Sequence, residues 1–213
     1  MMRQGSVIIG LVGGIGSGKS AVSRLLSKKG AEVIDCDRIV ADLLERPAVR
    51  RAVGRAFGGG VLDRVGRIDR RALAERVFTG TAAALRRLER ILHPPTLAAL
   101  NQSLAAARHR KAPATVIDAP LLLETGLHRR CDLLLFVDAP LRVRRRRVAA
   151  NRGWSPGELA RREKRQWTLA RKRRMCHTVI PNRGSIPELS RYVEKVWSAR
   201  VARMIPAKRR SHV

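Results

Sequence analysis

The sequence predicts an α/β protein in which five parallel strands form a sheet flanked by helices. Three observations predict this fold class. Five short apolar runs are spaced along the 213 residues, segments with helical spacing separate them, and a glycine-rich turn follows the first run. Short buried strands that alternate with helices are typical of a parallel sheet, because each connection must cross back over a face of the sheet. The length suits one domain, or one domain with an insert.

The first strand and the first helix enclose the most informative segment. The apolar run 7–12 predicts a strand buried on both faces, and a helix is expected from about Gly18 to Lys29. Between them, residues 13–20 match the phosphate-binding pattern G-x-x-x-x-G-K-[ST] in the strand–turn–helix context that it requires. Backbone N–H groups of such a P-loop cradle phosphate oxygens, so we expect a nucleoside triphosphate to bind here.

Each residue of the loop has an expected role. Lys19 would bridge the β- and γ-phosphates, and the Ser20 hydroxyl would face Mg²⁺. The expected nucleotide contacts are Gly14, Ile15, Gly16, Ser17, Gly18, Lys19, Ser20 and Ala21.

Two carboxylates lie at the C-terminal end of the second predicted strand, residues 31–35, at the sheet edge where α/β proteins place their ligands. Asp35 and Asp37 are two residues apart, so both could face the phosphates. One could take a proton from an acceptor hydroxyl while the other supports the metal. Alternatively, one only caps the next helix, expected over 38–45. The spacing does not choose between these interpretations.

The segment from 47 to 111 predicts a helical insert. We expect its helices to be broken by the glycines at 58–60, by Gly66 and by His93-Pro94-Pro95. The sheet resumes at 114–118 and 133–138, and a weaker run follows at 178–180. The expected parts are a core (6–46, 112–140 and 176–203), an insert (47–111), a lid (141–175) and a flexible basic tail (204–213).

A third acidic residue ends the strand expected at 114–118. Asp118 resembles the Walker-B aspartate that organises the magnesium site, so Ser20 and Asp118 are the expected metal-facing residues. Glu124, one apolar turn further on, could contact a substrate or only a neighbouring arginine. His93 is a lone histidine, and such residues more often cap or pack than catalyse.

The segment 142–174 holds fourteen Lys and Arg residues against two Glu. Arg144 and Arg147 should be neighbours on a helix. Cationic side chains of this kind could close over a transferring phosphoryl group as a lid, or form a nucleic-acid surface or a solvated helix; we favour the lid. Ser155 and Ser185 each precede a proline and a glutamate three residues on, which predicts two helix N-termini.

Charge and composition limit the partners. The formal net charge of +28 predicts attraction to polyanions, whereas an aromatic content of 3% leaves few stacking platforms for single strands. We therefore expect no specific nucleic acid. Three widely spaced cysteines indicate free thiols in the cytoplasm, and neither a membrane span nor a signal peptide is expected.

Several motifs in a fixed order resemble the dephospho-CoA kinase family. They are the P-loop, Val33-Ile34-Asp35-Cys36-Asp37, Gly66-Arg67-Ile68-Asp69-Arg70-Arg71-Ala72-Leu73, Val77-Phe78, Leu92-His93-Pro94, Pro120-Leu121-Leu122-Leu123-Glu124, Val137-Asp138, the stretch 166–172 and Val179-Ile180-Pro181-Asn182-Arg183-Gly184. The resemblance covers about residues 6–200. It implies ATP-dependent phosphorylation of the ribose 3′-hydroxyl of dephospho-CoA by a P-loop core with a helical acceptor-binding insert and a lid.

The resemblance also implies roles for single residues. Asp37 matches an acidic residue that acts as base toward the 3′-hydroxyl, and Arg147 matches a lid arginine. Arg70, His93 and Glu124 match positions near the acceptor. The implied partners are ATP with Mg²⁺ and dephospho-CoA, bound by a monomer or a weak homo-oligomer.

Three positions depart from the family pattern. Ala21 replaces a common Thr, Asn151 with Arg152 replaces a second lid arginine, and Cys176-His177 replaces a common Ala-Asp pair. Two alternatives remain: another small-molecule P-loop kinase of nucleotide, nucleoside or shikimate type, and a nucleic-acid-stimulated P-loop ATPase suggested by the charge.

Overall fold

One parallel sheet organises the computed structural model, which describes residues 6–78 and 82–205. The strand order is β2-β3-β1-β4-β5, and every neighbouring pair is parallel. The five-stranded parallel sheet predicted from the sequence is therefore confirmed. The strands are β1 (Val7–Gly13), β2 (Glu32–Asp35), β3 (Ala114–Asp118), β4 (Leu133–Asp138) and β5 (Thr178–Pro181).

Helices connect the strands. They are α1 (Lys19–Ser27), α2 (Cys36–Leu44), α3 (Pro47–Phe57), α4 (Arg70–Phe78), α5 (Ala82–His109), α6 (Leu141–Arg152), α7 (Pro156–Glu163), α8 (Leu169–Arg174), α9 (Ile186–Val196) and α10 (Ala202–Met204), with a π-helical turn at Trp197–Val201. Among the described residues, none of these helices is long and apolar enough to cross a membrane.

The chain divides into two compact units. The first holds residues up to Asp35 and from Leu104 onward, and therefore the whole sheet. Its core surrounds β1, whose seven residues are all buried. Because β1 lies between β3 and β4, its carboxyl end opens at the middle of the sheet edge, where α/β proteins bind their ligands.

The second unit, Cys36–Ser103, is helical and has its own apolar core. Its buried members are Leu44, Val49, Val53, Val61, Ile68, Leu73 and Val77. The predicted lid, 141–175, falls within the first unit, and residues 206–213 of the predicted tail lie outside the described residues.

The predicted helix break at His93-Pro94-Pro95 is wrong, because α5 runs through both prolines for 28 residues. Each proline removes one backbone donor from the helix. The Thr96 hydroxyl donates to the Leu92 carbonyl at 2.7 Å, across the turn that contains both prolines. His93 consequently lies inside a helix, where its side chain is exposed.

Both predicted serine caps are present. Ser155 Oγ accepts from the Glu158 backbone N–H at 3.1 Å, and Ser185 Oγ accepts from the Glu188 N–H at 3.4 Å. Ser155 directly precedes α7, and Ser185 directly precedes the C-terminal helical stretch, which ends at Met204.

Candidate phosphate-binding site

The P-loop joins the end of β1 to the start of α1. Gly16 and Gly18 have φ angles of 75° and 93°, a left-handed conformation that glycine adopts without strain. The N–H groups of Ala21 and Val22 bond to the Gly18 carbonyl, so α1 begins directly after the loop. Such a helix start offers backbone N–H groups and a partial positive charge to an anion.

Close packing also requires glycine at both positions. A Cβ on Gly16 would come within 2.9 Å of the Arg144 carbonyl oxygen and of Val148 Cγ1, both on α6. A Cβ on Gly18 would overlap the side-chain amide nitrogen of Asn182, which follows β5. The sequence alone explains these glycines by backbone freedom, and the structure adds their neighbours.

Lys19 lies at the loop as predicted. Its ammonium group donates to the carbonyl oxygens of Gly13 at 3.2 Å and Gly14 at 3.4 Å, while the Ser20 side chain is exposed. Lys19 is therefore held beside the phosphate-binding backbone. This is the position from which an ammonium group can neutralise phosphate charge.

Two carboxylates stand next to each other at the carboxyl edge of the sheet. Asp35 ends β2, Asp118 ends β3, and the two residues are direct partners in the parallel register. Burial raises the pKa of Asp118 above its ordinary value, and the negative charge of Asp35 raises it further. The charge of Lys19 and a 3.4 Å hydrogen bond from Ser23 Oγ act in the opposite direction on this pKa.

The donor chemistry of this edge fits Mg²⁺ bound together with a nucleotide. Mg²⁺ prefers oxygen ligands and is commonly held by one or two carboxylates plus substrate phosphates. Asp118 and Ser20 could supply such oxygens beside the P-loop, and a divalent cation would offset the burial and the charge of Asp35 that raise the pKa of Asp118. Within the described ranges, no cluster of three or more His, Cys, Asp or Glu side chains could hold a metal without phosphate oxygens.

The arginines of α6 contact the P-loop. Arg144 is buried; it forms an ion pair with Glu163 and donates to the carbonyl oxygens of Ala139 at 3.2 Å and Ile15 at 3.4 Å. Arg147 donates to the Ser17 carbonyl at 3.2 Å. The helix spacing predicted that Arg144 and Arg147 are neighbours, but not that Arg144 is buried.

Glu124 lies at a second polar cluster. Its Oε1 accepts from the Trp167 backbone N–H at 2.9 Å and from the ammonium group of Lys172 at 2.9 Å. Lys172 is only 1% exposed and also donates to Gln166 Oε1 at 2.8 Å. The second oxygen, Glu124 Oε2, is buried and has no hydrogen-bond partner among the described residues. The sequence left open a substrate contact or a neighbouring arginine; the cation beside Glu124 is a lysine, not an arginine.

The remaining predicted residues belong to the helical unit. Asp37 lies in the first turn of α2, which begins two residues earlier than expected. Arg70 begins α4 and donates to the Ala41 carbonyl at 3.3 Å and to Glu45 at 3.4 Å. His93 is exposed on α5.

The sequence did not predict the contacts of Asn182 and Arg144 with the P-loop, or the ion pair of Lys172 with Glu124. Asn182 and Lys172 appeared only as members of family motifs, and Arg144 as one cation of a basic run. A signal was present for Asn182, since it directly follows the fifth strand on the ligand-binding edge of the sheet.

The fold and the site together define a P-loop kinase. Two shikimate kinases, from Bacteroides thetaiotaomicron and Acinetobacter baumannii, share the fold with a TM-score of 0.51 each, at 13% and 16% identity. A crystal structure of a Thermus thermophilus protein has a TM-score of 0.81 and 37% identity over 92% of this chain and 98% of that one.

Sequence similarity shows the family to which this chain belongs. The family model described as dephospho-CoA kinase matches residues 7–188. A dephospho-CoA kinase of Geobacter sulfurreducens is 39% identical over 91% of this chain and 98% of its own length, and that of Geobacter metallireducens is 41% identical over 92% and 97%. The chain belongs to the dephospho-CoA kinase family.

Proposed function

We propose that this protein transfers the γ-phosphoryl group of ATP to the ribose 3′-hydroxyl of dephospho-CoA, giving CoA and ADP. The observation that carries the proposal is the family match over residues 7–188, which spans the P-loop and the whole of the helical unit. A phosphate loop with an ordered lysine beside a pair of carboxylates supplies the groups that phosphoryl transfer needs for positioning and for neutralising charge.

ATP binding is assigned to the P-loop of the first unit. The backbone from Gly14 to Ala21 would hold the phosphates, and Lys19 would neutralise charge on the β- and γ-phosphates. Ser20 and Asp118 would hold Mg²⁺, which, when bound, neutralises phosphate charge and orients the γ-phosphoryl group.

Asp37 is the proposed base of the reaction. Its carboxylate would accept the proton of the 3′-hydroxyl as that oxygen bonds to the γ-phosphorus and the bond to ADP breaks. Arg70, His93 and Glu124 are proposed to contact the acceptor. From the family resemblance, Arg147 is proposed to offset charge on the transferring group.

The proposed partners are small molecules, and the protein is proposed to act as a monomer or weak homo-oligomer in the cytoplasm. All three cysteines lie outside disulfides, as expected in a reducing compartment. The nucleic-acid-stimulated ATPase, suggested by the charge alone, is not favoured by the family match.

The testing experiment measures ADP release with Mg-ATP and dephospho-CoA, beside matched reactions with AMP, adenosine, shikimate or duplex DNA. Mass spectrometry of the product locates the added phosphate. We expect ADP release only with dephospho-CoA and a product phosphorylated on the 3′-hydroxyl. Release stimulated by DNA, without a phosphorylated small molecule, would instead support the ATPase interpretation.

A further inference from the structure

The carbonyl group of Ser17, inside the P-loop, accepts hydrogen bonds from two side chains of other elements. Asn182, which follows β5, donates through Nδ2 at 2.7 Å, and Arg147 on α6 donates through Nη1 at 3.2 Å. The two donors are also joined, because Arg147 Nη2 donates to Asn182 Oδ1 at 3.1 Å. One P-loop carbonyl is thus held by a closed group of three residues.

Asn182 is fixed in a single orientation. It is 3% exposed, and its backbone N–H donates to the Asp138 carbonyl at 2.7 Å. Turning the side-chain amide over would place its oxygen against the Ser17 carbonyl and its NH₂ group against the Arg147 guanidinium. Both contacts would be repulsive, so the hydrogen bonds themselves determine the amide orientation.

The held carbonyl determines where the next N–H points. A trans peptide group is planar, and its C=O and N–H point in opposite directions. With the Ser17 oxygen drawn toward Asn182 and Arg147, the Gly18 N–H is directed to the other side of the loop. In a phosphate loop, inward-directed N–H groups are the ligands of the phosphate oxygens.

We infer that Asn182 is a positioning residue for ATP: with Arg147, it holds the Ser17–Gly18 peptide so that the Gly18 N–H faces the triphosphate. The inference rests on ATP binding by the P-loop and is independent of the acceptor. The left-handed Gly18 accommodates the Asn182 amide, which would overlap any larger residue there.

The neighbouring turn of the loop is held in a similar way. Arg144, fixed by its ion pair with Glu163, donates to the Ile15 carbonyl at 3.4 Å. The peptide between Ile15 and Gly16 is therefore also held from α6. The two arginines hold alternate peptides of the loop, and Asn182 supplies the shortest of the side-chain bonds to these carbonyls.

The test measures dissociation constants of Asn182→Ala for Mg-ATP, Mg-ADP and inorganic tripolyphosphate by calorimetry. Losing one hydrogen bond to a charged group weakens binding by about tenfold. We expect all three Kd values to rise by about this same factor, because the three ligands share the phosphate contacts. The melting temperature of the ligand-free variant measures separately whether the substitution disturbs packing. A packing defect would lower this temperature without acting specifically on the binding of phosphate ligands.

Two further variants sharpen the result. Arg142→Ala removes one exposed cation from the same helix and should leave each Kd within about twofold. In Arg147→Ala combined with Asn182→Ala, the loss should be smaller than the product of the single losses, since both residues hold one carbonyl. If the loss of affinity in the double variant equals the product of the two single losses, the shared role of Asn182 and Arg147 is overturned.

Unchanged Kd values for Asn182→Ala would overturn the inference, and so would weaker binding of ATP with unchanged binding of tripolyphosphate. If Asn182→Ala does not fold, Asn182→Asp keeps the shape and the Arg147 partner but cannot donate to Ser17. Wild-type affinity in that variant would equally overturn the inference. Absence of ATP binding by the unsubstituted protein would contradict the proposed function instead.

Discussion

At the scale of single residues, Lys19 carries the most direct prediction. Its ammonium group lies on the carbonyls of Gly13 and Gly14, next to the site expected for the β- and γ-phosphates. By analogy with losing one preorganised donor to a developing charge, Lys19→Ala should cost about 2–4 kcal/mol of transition-state stabilisation, measured as kcat/KM for ATP.

Lys28→Ala is the matched control, because it removes the same charge from an exposed position at the other end of α1. It should change kcat/KM little. Near-normal turnover of Lys19→Ala would contradict the role assigned to the P-loop lysine.

Asp37→Asn tests the proposed base. The amide cannot accept the hydroxyl proton, so kcat should fall by about two to four orders of magnitude. The Kd for ATP should change little, because a base acts on the acceptor. Steady-state rates and ATP calorimetry on the same preparation separate the two effects. An equal loss of ATP affinity would assign Asp37 to metal binding or folding instead.

Asp118 predicts a pH dependence of stability without ligand. Burial and the charge of Asp35 raise the folded-state pKa of Asp118 above its unfolded value. The folded protein therefore holds this proton more tightly, and the free energy of unfolding falls as pH rises through the folded pKa. Asp118→Asn lacks this loss and should melt at a higher temperature than the wild type at pH 7.

The difference in melting temperature should vanish below about pH 4, where the wild-type carboxyl is also neutral. Calorimetric scans between pH 3 and pH 8 would measure it. A variant that melts lower at neutral pH would mean that the attraction of Lys19 outweighs burial. In activity assays the same variant should need more Mg²⁺.

At the scale of elements, the sequence predicts the strands better than the helical parts. β3 and β4 have the predicted bounds, because a continuous apolar run is a strong signal for a strand buried on both faces. The prolines of α5 led to a wrong helix prediction, because proline usually ends a helix whereas this helix of 28 residues continues through both. Burial of Arg144 and Lys172 was not predictable, because each depends on a distant glutamate, Glu163 or Glu124.

The buried pair of Lys172 and Glu124 joins α8 to the loop after β3. Removing one member of a buried pair leaves the other charged and unpaired, which costs about 3–5 kcal/mol. Lys172→Met should lower the free energy of unfolding by about this amount. Adding Glu124→Gln should recover part of the loss, because the orphaned charge is then removed. Urea unfolding measures both values.

Lys164→Met is the matched control, since Lys164 is exposed at the end of α7. It should change stability by less than about 0.5 kcal/mol. A Lys172→Met variant as stable as this control would show that the pair contributes little.

At the scale of the whole molecule, charge was predictable and its local arrangement was not. The net charge of +28 follows from composition. Composition does not reveal which cations are solvated. Arg144 and Lys172 are buried and paired, whereas Arg145 and Arg146 between the loop-contacting arginines are exposed. The ligand-binding edge of the sheet was predictable from the P-loop and from the ends of the predicted strands, but the side chains that hold the loop come from α6 and from the residue after β5.

The excess positive charge predicts salt-dependent binding of the nucleotide. ATP carries several negative charges, so attraction by the whole protein should speed its association. The Debye length, beyond which interactions between exposed charges are largely screened, is about 10 Å at 0.1 M salt and about 3 Å at 1 M. Stopped-flow measurement with a fluorescent ATP analogue should show an association rate that falls at least about tenfold between these salt concentrations. The dissociation rate should change much less, because it depends on short-range contacts within the P-loop.

Adenosine, which is uncharged, is the control ligand, and its association should be nearly independent of salt. If both ligands respond equally, salt acts on the protein's conformation; if ATP alone responds, the arginine-rich surface contributes to substrate capture.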